Sequence, residues 1–346
     1  MNNQTYKEIF LQSESLARIN EELAIIVAEL EKVFPEKAAS YEKVIFTGCG
    51  TSLYLAQSAA HFFMDYTGVE AVAVPCSELY FFTELNLGSQ KVLVVPITRK
   101  SHTTEVRMAI DKVRSFKNVK TLAITCDPAS EAYNDFMIVA SETAEKSVVM
   151  TRSYTSMLYL SLITALFVGG EMAELDKLKD INLLCHSLLI EMDEMAKKII
   201  SENQNLDLYI TLGQGEFYGV ANECMNKMKE MGLVNSEAYH SLEYRHGPMS
   251  IANQKTLILT LAHSKCTEYD DKLLQQLKGF GCTTVAIGKN VKSMTADYTL
   301  ATPKELSDSQ LSIFLGILGQ LLGIYIADNK GLDPDKPQNL TQAIVL

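Results

Sequence analysis

The sequence predicts an α/β protein made of two copies of one parallel-sheet domain. Three observations carry this expectation. Short runs rich in Val and Ile, without polar alternation, recur between longer amphipathic segments, as in parallel strands covered by helices on both faces. The 346 residues amount to about two ordinary domains. Matching stretches also recur at a nearly constant offset. Ile45-Phe-Thr-Gly-Cys-Gly50 resembles Ile210-Thr-Leu-Gly-Gln-Gly215, Leu93-Val-Val-Pro-Ile97 resembles Leu257-Ile-Leu-Thr-Leu261, and Leu122-Ala-Ile124 resembles Val285-Ala-Ile287. The three offsets are 165, 164 and 163 residues.

In the first copy, Val44–Thr47, Ala71–Pro75, Val92–Ile97, Thr121–Thr125 and Phe136–Ala140 read as strands. Leu53–Tyr66, Thr103–Phe116 and Tyr154–Gly169 read as helices. In the second copy the strands are Leu208–Leu212, Leu257–Ala262 and Thr284–Ile287. Its helices are Phe217–Met231, Asp270–Phe280 and Ser309–Asn329. The expected organisation is an N-terminal helical segment over 1–40 and a first domain over 41–170. An acidic linker helix over 171–203, a second domain over 204–330 and a C-terminal tail over 331–346 follow.

Composition narrows the function. Hydrophobic residues are 47% and charged residues 21%, a packed globular balance that excludes disorder and low complexity. The net charge of −11 argues against nucleic acid or an anionic membrane as a partner. The N-terminus lacks the basic-then-apolar pattern of a signal peptide, and the apolar stretch Leu158–Gly170 is too short to span a bilayer. The seven cysteines are scattered, with no CxxC pair, which predicts a reduced, cytoplasmic chain without a disulfide frame. The histidines show no metal-ligand spacing; His240 and His246 lie six apart. Neither a metal nor a cofactor is expected.

Two loops read as anion cradles. Gly48-Cys-Gly50-Thr51-Ser52 follows a strand and opens a helix, where glycine lets backbone approach a ligand and the helix start favours negative charge. A dinucleotide loop would need a third glycine at position 53, which is Leu. The hydroxyls of Thr51 and Ser52 suit a small phosphate monoester, although they also suit a helix cap. The second loop, Ile97-Thr-Arg-Lys-Ser-His-Thr-Thr-Glu105, places the hydroxyls of Thr98, Ser101, Thr103 and Thr104 beside Arg99 and Lys100 at a helix start. Both loops fall at the carboxyl ends of strands, where open α/β sheets bind ligands.

These residues carry a family resemblance. Phe46-Thr-Gly-Cys-Gly-Thr-Ser52 is similar to the first phosphate loop of the sugar isomerase (SIS) domain superfamily. Ile97–Glu105 stands where that superfamily has its Ser- and Thr-rich second loop. Glu145-Lys-Ser-Val-Val-Met-Thr-Arg-Ser-Tyr-Thr155 resembles its Glu…Thr-Lys-Ser-Tyr-Thr segment. The most specific stretch runs from Glu223-Cys-Met-Asn-Lys-Met-Lys-Glu230 through Glu243-Tyr-Arg-His-Gly-Pro248. The tail run Asp335-Lys-Pro-Gln-Asn-Leu340 resembles it as well. The resemblance is to double-SIS proteins related to the isomerase half of glucosamine-fructose-6-phosphate aminotransferase and to fructosamine-6-phosphate deglycases. It implies two tandem SIS domains, each a parallel-sheet, flavodoxin-like three-layer sandwich. It also implies a sugar 6-phosphate ligand held by Gly50, Thr51, Ser52, Thr98, Lys100, Ser101, Thr103 and Thr151.

There are departures from the family pattern. No amidotransferase nucleophile precedes the first domain, so no glutaminase activity is expected. Where the aminotransferase has a Schiff-base lysine after Asn-Leu, this chain has Gln342. Lys100, Ser101 and His102 replace the usual residues of the second loop.

Glu223, Lys227 and Glu230 are spaced four and three apart and share one helical face. By itself that pattern is a solvated Glu/Lys stripe. The resemblance instead implies that Glu230 moves a proton between C1 and C2 of an open-chain sugar phosphate. Lys227 would steady the enediolate oxygen, and Glu223 would position Lys227 or a substrate hydroxyl. It further implies that His246 opens the sugar ring and does so across a homodimer interface, a task suited to histidine as a residue type. His102 and His240 receive no role.

The expected function is therefore a phosphosugar enzyme of the isomerase, deaminase or deglycase type, working through a C1–C2 enediol or enolamine. A fructosamine-6-phosphate deglycase is slightly preferred, because its substrate already carries the amine. The alternative is a non-catalytic sugar-phosphate sensor.

Overall fold

Among the described residues, ten strands form two all-parallel sheets of five. The computed structural model describes residues 3–141, 143 and 145–345. The outermost residues of the expected terminal segments, 1, 2 and 346, lie outside the described residues, as do 142 and 144. The first sheet contains β1 (Lys43–Gly48), β2 (Glu70–Pro75), β3 (Val92–Thr98), β4 (Val119–Thr125) and β5 (Phe136–Val139), in the order β2-β1-β3-β4-β5. The second contains β6 (Leu208–Leu212), β7 (Asn235–Tyr239), β8 (Thr256–Ala262), β9 (Thr283–Gly288) and β10 (Tyr298–Ala301). Its order, β7-β6-β8-β9-β10, is that of the first sheet. Two parallel α/β sheets of one topology confirm the predicted fold class, and the order is the flavodoxin-like one.

The chain divides into two compact units, each of discontinuous segments. The β1–β5 unit comprises Leu11–Lys146, Arg152–Leu184 and Thr341–Leu346. The β6–β10 unit comprises Met1–Phe10, Ser147–Thr151 and Cys185–Leu340.

In the β1–β5 unit, alternate strand residues serve opposite faces. Ile45, Val92, Val94 and Val119 pack with Val106, Ala109, Ile110 and Val113 of the helix Thr104–Val113, and with Leu79 and Leu87. On the other face Phe46 meets Phe63 of the helix Thr51–Thr67, edge-on at 5.9 Å between ring centres. The helix Arg152–Gly169, read from the sequence as starting at Tyr154, is buried from Ser153 to Val168. A helix apolar all round belongs inside a core. The N-terminal segment is three helices, Gln4–Phe10, Gln12–Glu21 and Leu23–Val33, the first belonging to the other unit.

In the β6–β10 unit, Ile210, Leu212, Ile258 and Ala286 pack against Leu273, Leu274 and Leu277 of the helix Thr267–Gly279. The helices Phe217–Gly232 and Asp308–Asn329 pack against each other at close range. A Cβ at Gly323 would lie 2.5 Å from the Met231 methyl and 2.8 Å from the Lys227 carbonyl oxygen, so only glycine fits. The helix Asp308–Asn329 is the one described helix long and apolar enough to cross a membrane, yet its apolar window is wholly buried in its own unit. A capping box starts it. The Ser307 hydroxyl accepts from the Gln310 amide at 3.1 Å, and the Ser307 amide donates to Gln310 Oε1 at 2.8 Å. The first helix is tied in this unit to the segment that follows the last helix. The Thr5 amide donates to Asp335 Oδ1 at 2.7 Å, the Gln4 amide to Oδ2 at 2.6 Å, and the Thr5 hydroxyl lies 2.8 Å from Ser147 Oγ.

Candidate active site

The helix Phe217–Gly232 runs against Asp308–Asn329, and this burial changes what its charged stripe is. Glu223 and Lys227 have fully buried side chains, while Glu230 keeps 21% of its side chain exposed. The plain reading of these residues as a solvated stripe is therefore overturned. Lys227 Nζ lies 2.5 Å from Glu230 Oε2 and 3.3 Å from Glu223 Oε1. Asn226 Nδ2 donates to Glu230 Oε1 at 3.0 Å, so both Glu230 oxygens are oriented. Sequence reasoning passed over Asn226, although its spacing of four from Glu230 on a helix signals the contact.

Burial by itself pulls the Lys227 ammonium down, but Glu223 and Glu230 outweigh it and hold Lys227 above its ordinary value. The helix thus presents a fixed cation beside a half-open carboxylate. That pair can remove a proton from carbon and stabilise the oxyanion that results.

His246 is exposed, in a turn between the short 3-10 helices Glu243–Arg245 and Pro248–Ile251. Its amide donates to the Glu243 carbonyl at 2.9 Å. His240 stacks on Tyr218 at 3.8 Å between ring centres, with Nδ1 2.9 Å from Gln214 Oε1.

The two predicted cradles lie in the β1–β5 unit, on either side of the point where strand order reverses between β1 and β3. Gly50 caps the helix Thr51–Thr67 with φ +55°, a conformation that favours glycine. Thr51 and Ser52 are buried in the first turn, and the amides of Ser52 and Leu53 donate to the carbonyls of Cys49 and Gly50. Thr103 caps the helix Thr104–Val113 through its backbone, without a side-chain cap bond. Thr151, fully buried, belongs to the β6–β10 unit, where its carbonyl faces Gln320 Nε2 at 3.5 Å.

Much of the second loop is engaged within the chain. Arg99, read as an anion contact, is buried, and its Nη1 lies 3.0 Å from Glu145 Oε2. Glu145 also accepts from the Ser153 amide at 3.1 Å and from the Ser153 hydroxyl. Lys100 Nζ donates to Gln342 Oε1 at 2.8 Å, and Arg99 Nη2 to the Gln342 carbonyl at 3.1 Å. Gln342 Nε2 donates in turn to the Lys146 carbonyl at 2.9 Å, and the Thr104 amide donates to the Ile344 carbonyl at 3.2 Å. The Ser101 hydroxyl and amide both donate to Asp127 Oδ2, at 2.7 and 2.9 Å. The Thr98 hydroxyl donates to the Lys100 carbonyl at 2.7 Å. The sequence offered no signal for the Arg99–Glu145 pair, whose members are 46 residues apart.

Among the described residues, no group of three His, Cys, Asp or Glu side chains is placed to hold a metal ion.

Comparison with known proteins follows the same two blocks. The model of the SIS domain matches residues 39–169 and again 206–321. A glutamine–fructose-6-phosphate aminotransferase (isomerizing) of Sulfurisphaera tokodaii is 27% identical over 344 residues, which are 98% of this chain and 56% of that protein. The chain thus spans about half the length of the curated relatives it matches. Among solved structures, a glucosamine-6-phosphate deaminase from Thermotoga maritima is 27% identical with a TM-score of 0.84, covering 99% of this chain and 100% of its own. The tagatose-6-phosphate ketose/aldose isomerase of Escherichia coli, 21% identical with a TM-score of 0.83, covers 100% of this chain and 96% of its own and shares the fold. Two matched blocks that take in most of the chain, each holding one five-stranded parallel sheet, make this chain a member of the SIS domain family, with two SIS domains in tandem.

Proposed function

We propose that the chain is a phosphosugar-processing enzyme that moves a proton between C1 and C2 of an open-chain hexose or amino-sugar 6-phosphate. The observation that carries this reading is the buried Lys227 ammonium, 2.5 Å from a half-open Glu230 whose other oxygen Asn226 holds. Glu230 takes the proton from one carbon and returns it to the next. Lys227, kept protonated by its two carboxylates, carries the charge that balances the enediolate oxygen. Glu223 positions Lys227. The loop residues Gly50, Thr51, Ser52, Thr98, Lys100, Ser101 and Thr103, together with Thr151, are assigned the sugar phosphate. The relatives' names, an isomerizing aminotransferase and a deaminase among them, support chemistry at these two carbons.

Within this class the reading favours a fructosamine-6-phosphate deglycase. Glu230 would take a C1 proton from the ketoamine to give an enolamine and return it to C2. One water then hydrolyses the resulting imine to an aldose 6-phosphate and a free amine. Gln342 cannot form a Schiff base, and this route needs none. His246 is assigned ring opening in a homodimer, and its exposure in a turn supports that role. The chain is proposed to work in the cytoplasm, without a cofactor.

Proton NMR in D2O tests this with fructose, tagatose and glucosamine 6-phosphates and fructosyl-amino-acid 6-phosphates. Deuterium at C1 or C2, or released amine, abolished in Glu230→Gln, is expected. Undiminished turnover by Glu230→Gln overturns the mechanism. Binding with no exchange across the panel makes the chain a sensor.

A further inference from the structure

The glycine loop Gly48-Cys49-Gly50 carries a thiol that the proposed chemistry does not use. Strands β1 and β2 are parallel neighbours in a register that pairs Gly48 with Pro75. Cys49 and Cys76 follow directly on these paired strand ends, Cys76 opening the short helix Cys76–Phe81, so the register brings them close. Neighbouring strands lie about 4.8 Å apart, and a disulfide accepts a Cα separation of about 4.4–6.8 Å. Cys76 is 1% exposed and sits in the core cluster against which the half-buried Cys49 packs. The Cys76 sulfur faces the thiol of Cys49. Thr47 Oγ1 lies 3.4 Å from the same sulfur. All seven cysteines are free thiols in the structure.

We propose that Cys49 and Cys76 are a reversible oxidation site, closing to an intramolecular disulfide when a hydroperoxide reaches the glycine loop. The arrangement has a reacting and a resolving thiol. Cys49 is the more exposed sulfur. It attacks the peroxide oxygen, the O–O bond breaks, and its own proton leaves with the departing hydroxide as water. The product is a sulfenic acid at Cys49. The Cys76 sulfur then attacks that sulfur, an S–S bond forms, and hydroxide leaves with the Cys76 proton as a second water. Two thiols are oxidised and one peroxide is reduced to two waters. Hydrogen bonding from Cys49 holds the Cys76 thiol below its ordinary value, although burial opposes this.

The other half-buried thiols are internal comparisons. The Cys76 sulfur and burial hold the Cys49 thiol above its ordinary value, as burial does Cys126, up to about 12, and Cys266, so what sets Cys49 apart is the second sulfur beside it and not its acidity. Closure ties the loop that opens the helix Thr51–Thr67 to the end of β2. Its effect on ligand binding rests on the assignment of that loop to the sugar phosphate; the disulfide itself does not.

The test treats the full chain with hydrogen peroxide, alkylates remaining thiols with iodoacetamide, and maps the peptides by mass. Trypsin releases residues 44–91, which hold both cysteines. The expected product is that peptide about 2 Da lighter and unalkylated, restored to two alkylatable thiols by dithiothreitol. In Cys76→Ala the peptide instead carries an alkylated or singly oxidised Cys49. Two alkylated thiols in the wild-type peptide, a sulfinic acid at Cys49 without a bridge, or pairing of Cys49 with another cysteine would each overturn the proposal. Fructose 6-phosphate affinity is then compared before and after closure. Loss on oxidation with recovery in dithiothreitol supports control of the cradle, and unchanged affinity in a mapped disulfide removes that control alone.

Discussion

Lys227→Met is the perturbation that asks most of the buried charge cluster. Lys227 and Glu223 are each fully buried at 3.3 Å, whereas Glu230 reaches solvent. Without the ammonium, Glu230 can hydrate in place, but Glu223 stays in the core having lost the Lys227 cation. Breaking a buried pair by removing one partner costs about 3–5 kcal/mol. For a unit of this size each kcal/mol moves the midpoint by about 2–4 °C, so thermal unfolding should come about 6–20 °C earlier. Methionine keeps most of the side chain's volume, so little of this loss is a cavity effect. The double variant Glu223→Gln/Lys227→Met removes the stranded charge and should regain about 2 kcal/mol or more over the single variant. The sign with pH follows from the raised Lys227. Its stabilisation is present in full below the ordinary lysine value of 10.5 and is lost as pH climbs through the higher folded value. The wild-type advantage should therefore be flat from pH 7 to 9. Scanning calorimetry of the three proteins reads all of this. A drop under about 3 °C, or a double variant no better than the single, would refute the claim that Glu223 depends on Lys227.

Other outcomes follow from the same geometry. Asp270 is 1% exposed, and burial pushes it up to about 6 from 3.8, against the opposing Ser241 hydroxyl and His263. Its contribution is favourable below pH 3.8 and is lost as pH rises to about 6, so Asp270→Asn should gain about 1–3 kcal/mol at pH 7.5 and nothing at pH 4 by urea titration. Gly323→Ala drives a methyl against Met231 and the Lys227 carbonyl, and should cost about 1–3 kcal/mol in denaturant unfolding while lowering turnover through Lys227. Ser307→Ala removes half of a capping box and should cost about 1 kcal/mol by the same titration. Glu145→Gln, which leaves Arg99 buried without its carboxylate, should lower the melting point by several degrees and should do so more than Gln342→Ala, whose contacts are partly exposed.

The parts of this molecule that the sequence disclosed are those whose burial is two-sided. β1, β3, β6 and β8 are rich in Val, Ile and Leu because a helix layer covers each face. β7, with the sequence Asn-Ser-Glu-Ala-Tyr, and β10, Tyr-Thr-Leu-Ala, escaped notice because they hold too few apolar residues to make a run, whereas the edge strands β2 and β5 keep theirs. The charge cluster was half legible. Helical spacing put Glu223, Lys227 and Glu230 on one face, but nothing local distinguishes a solvated face from one covered by Gly319 and Gly323 of a helix about ninety residues later. The second cradle has partners that were hidden for the same reason. Nothing local to Arg99 and Lys100 signals that Glu145 and Gln342, distant in sequence, meet their donors.

The bonds between Thr5 and Asp335 set a schedule for synthesis. The partners are 330 residues apart, so at about 5–20 residues per second the ribosome finishes the second roughly 15–70 s after the first. During that interval the helix Gln4–Phe10 is a strand of peptide waiting for its place, and the unit of β6–β10 cannot close. A polypeptide released before Asp335 would leave the Thr5 amide without this acceptor. Residues 11–184 supply nearly all of the β1–β5 unit and are complete long before Asp335 is made, so the two units finish on different clocks.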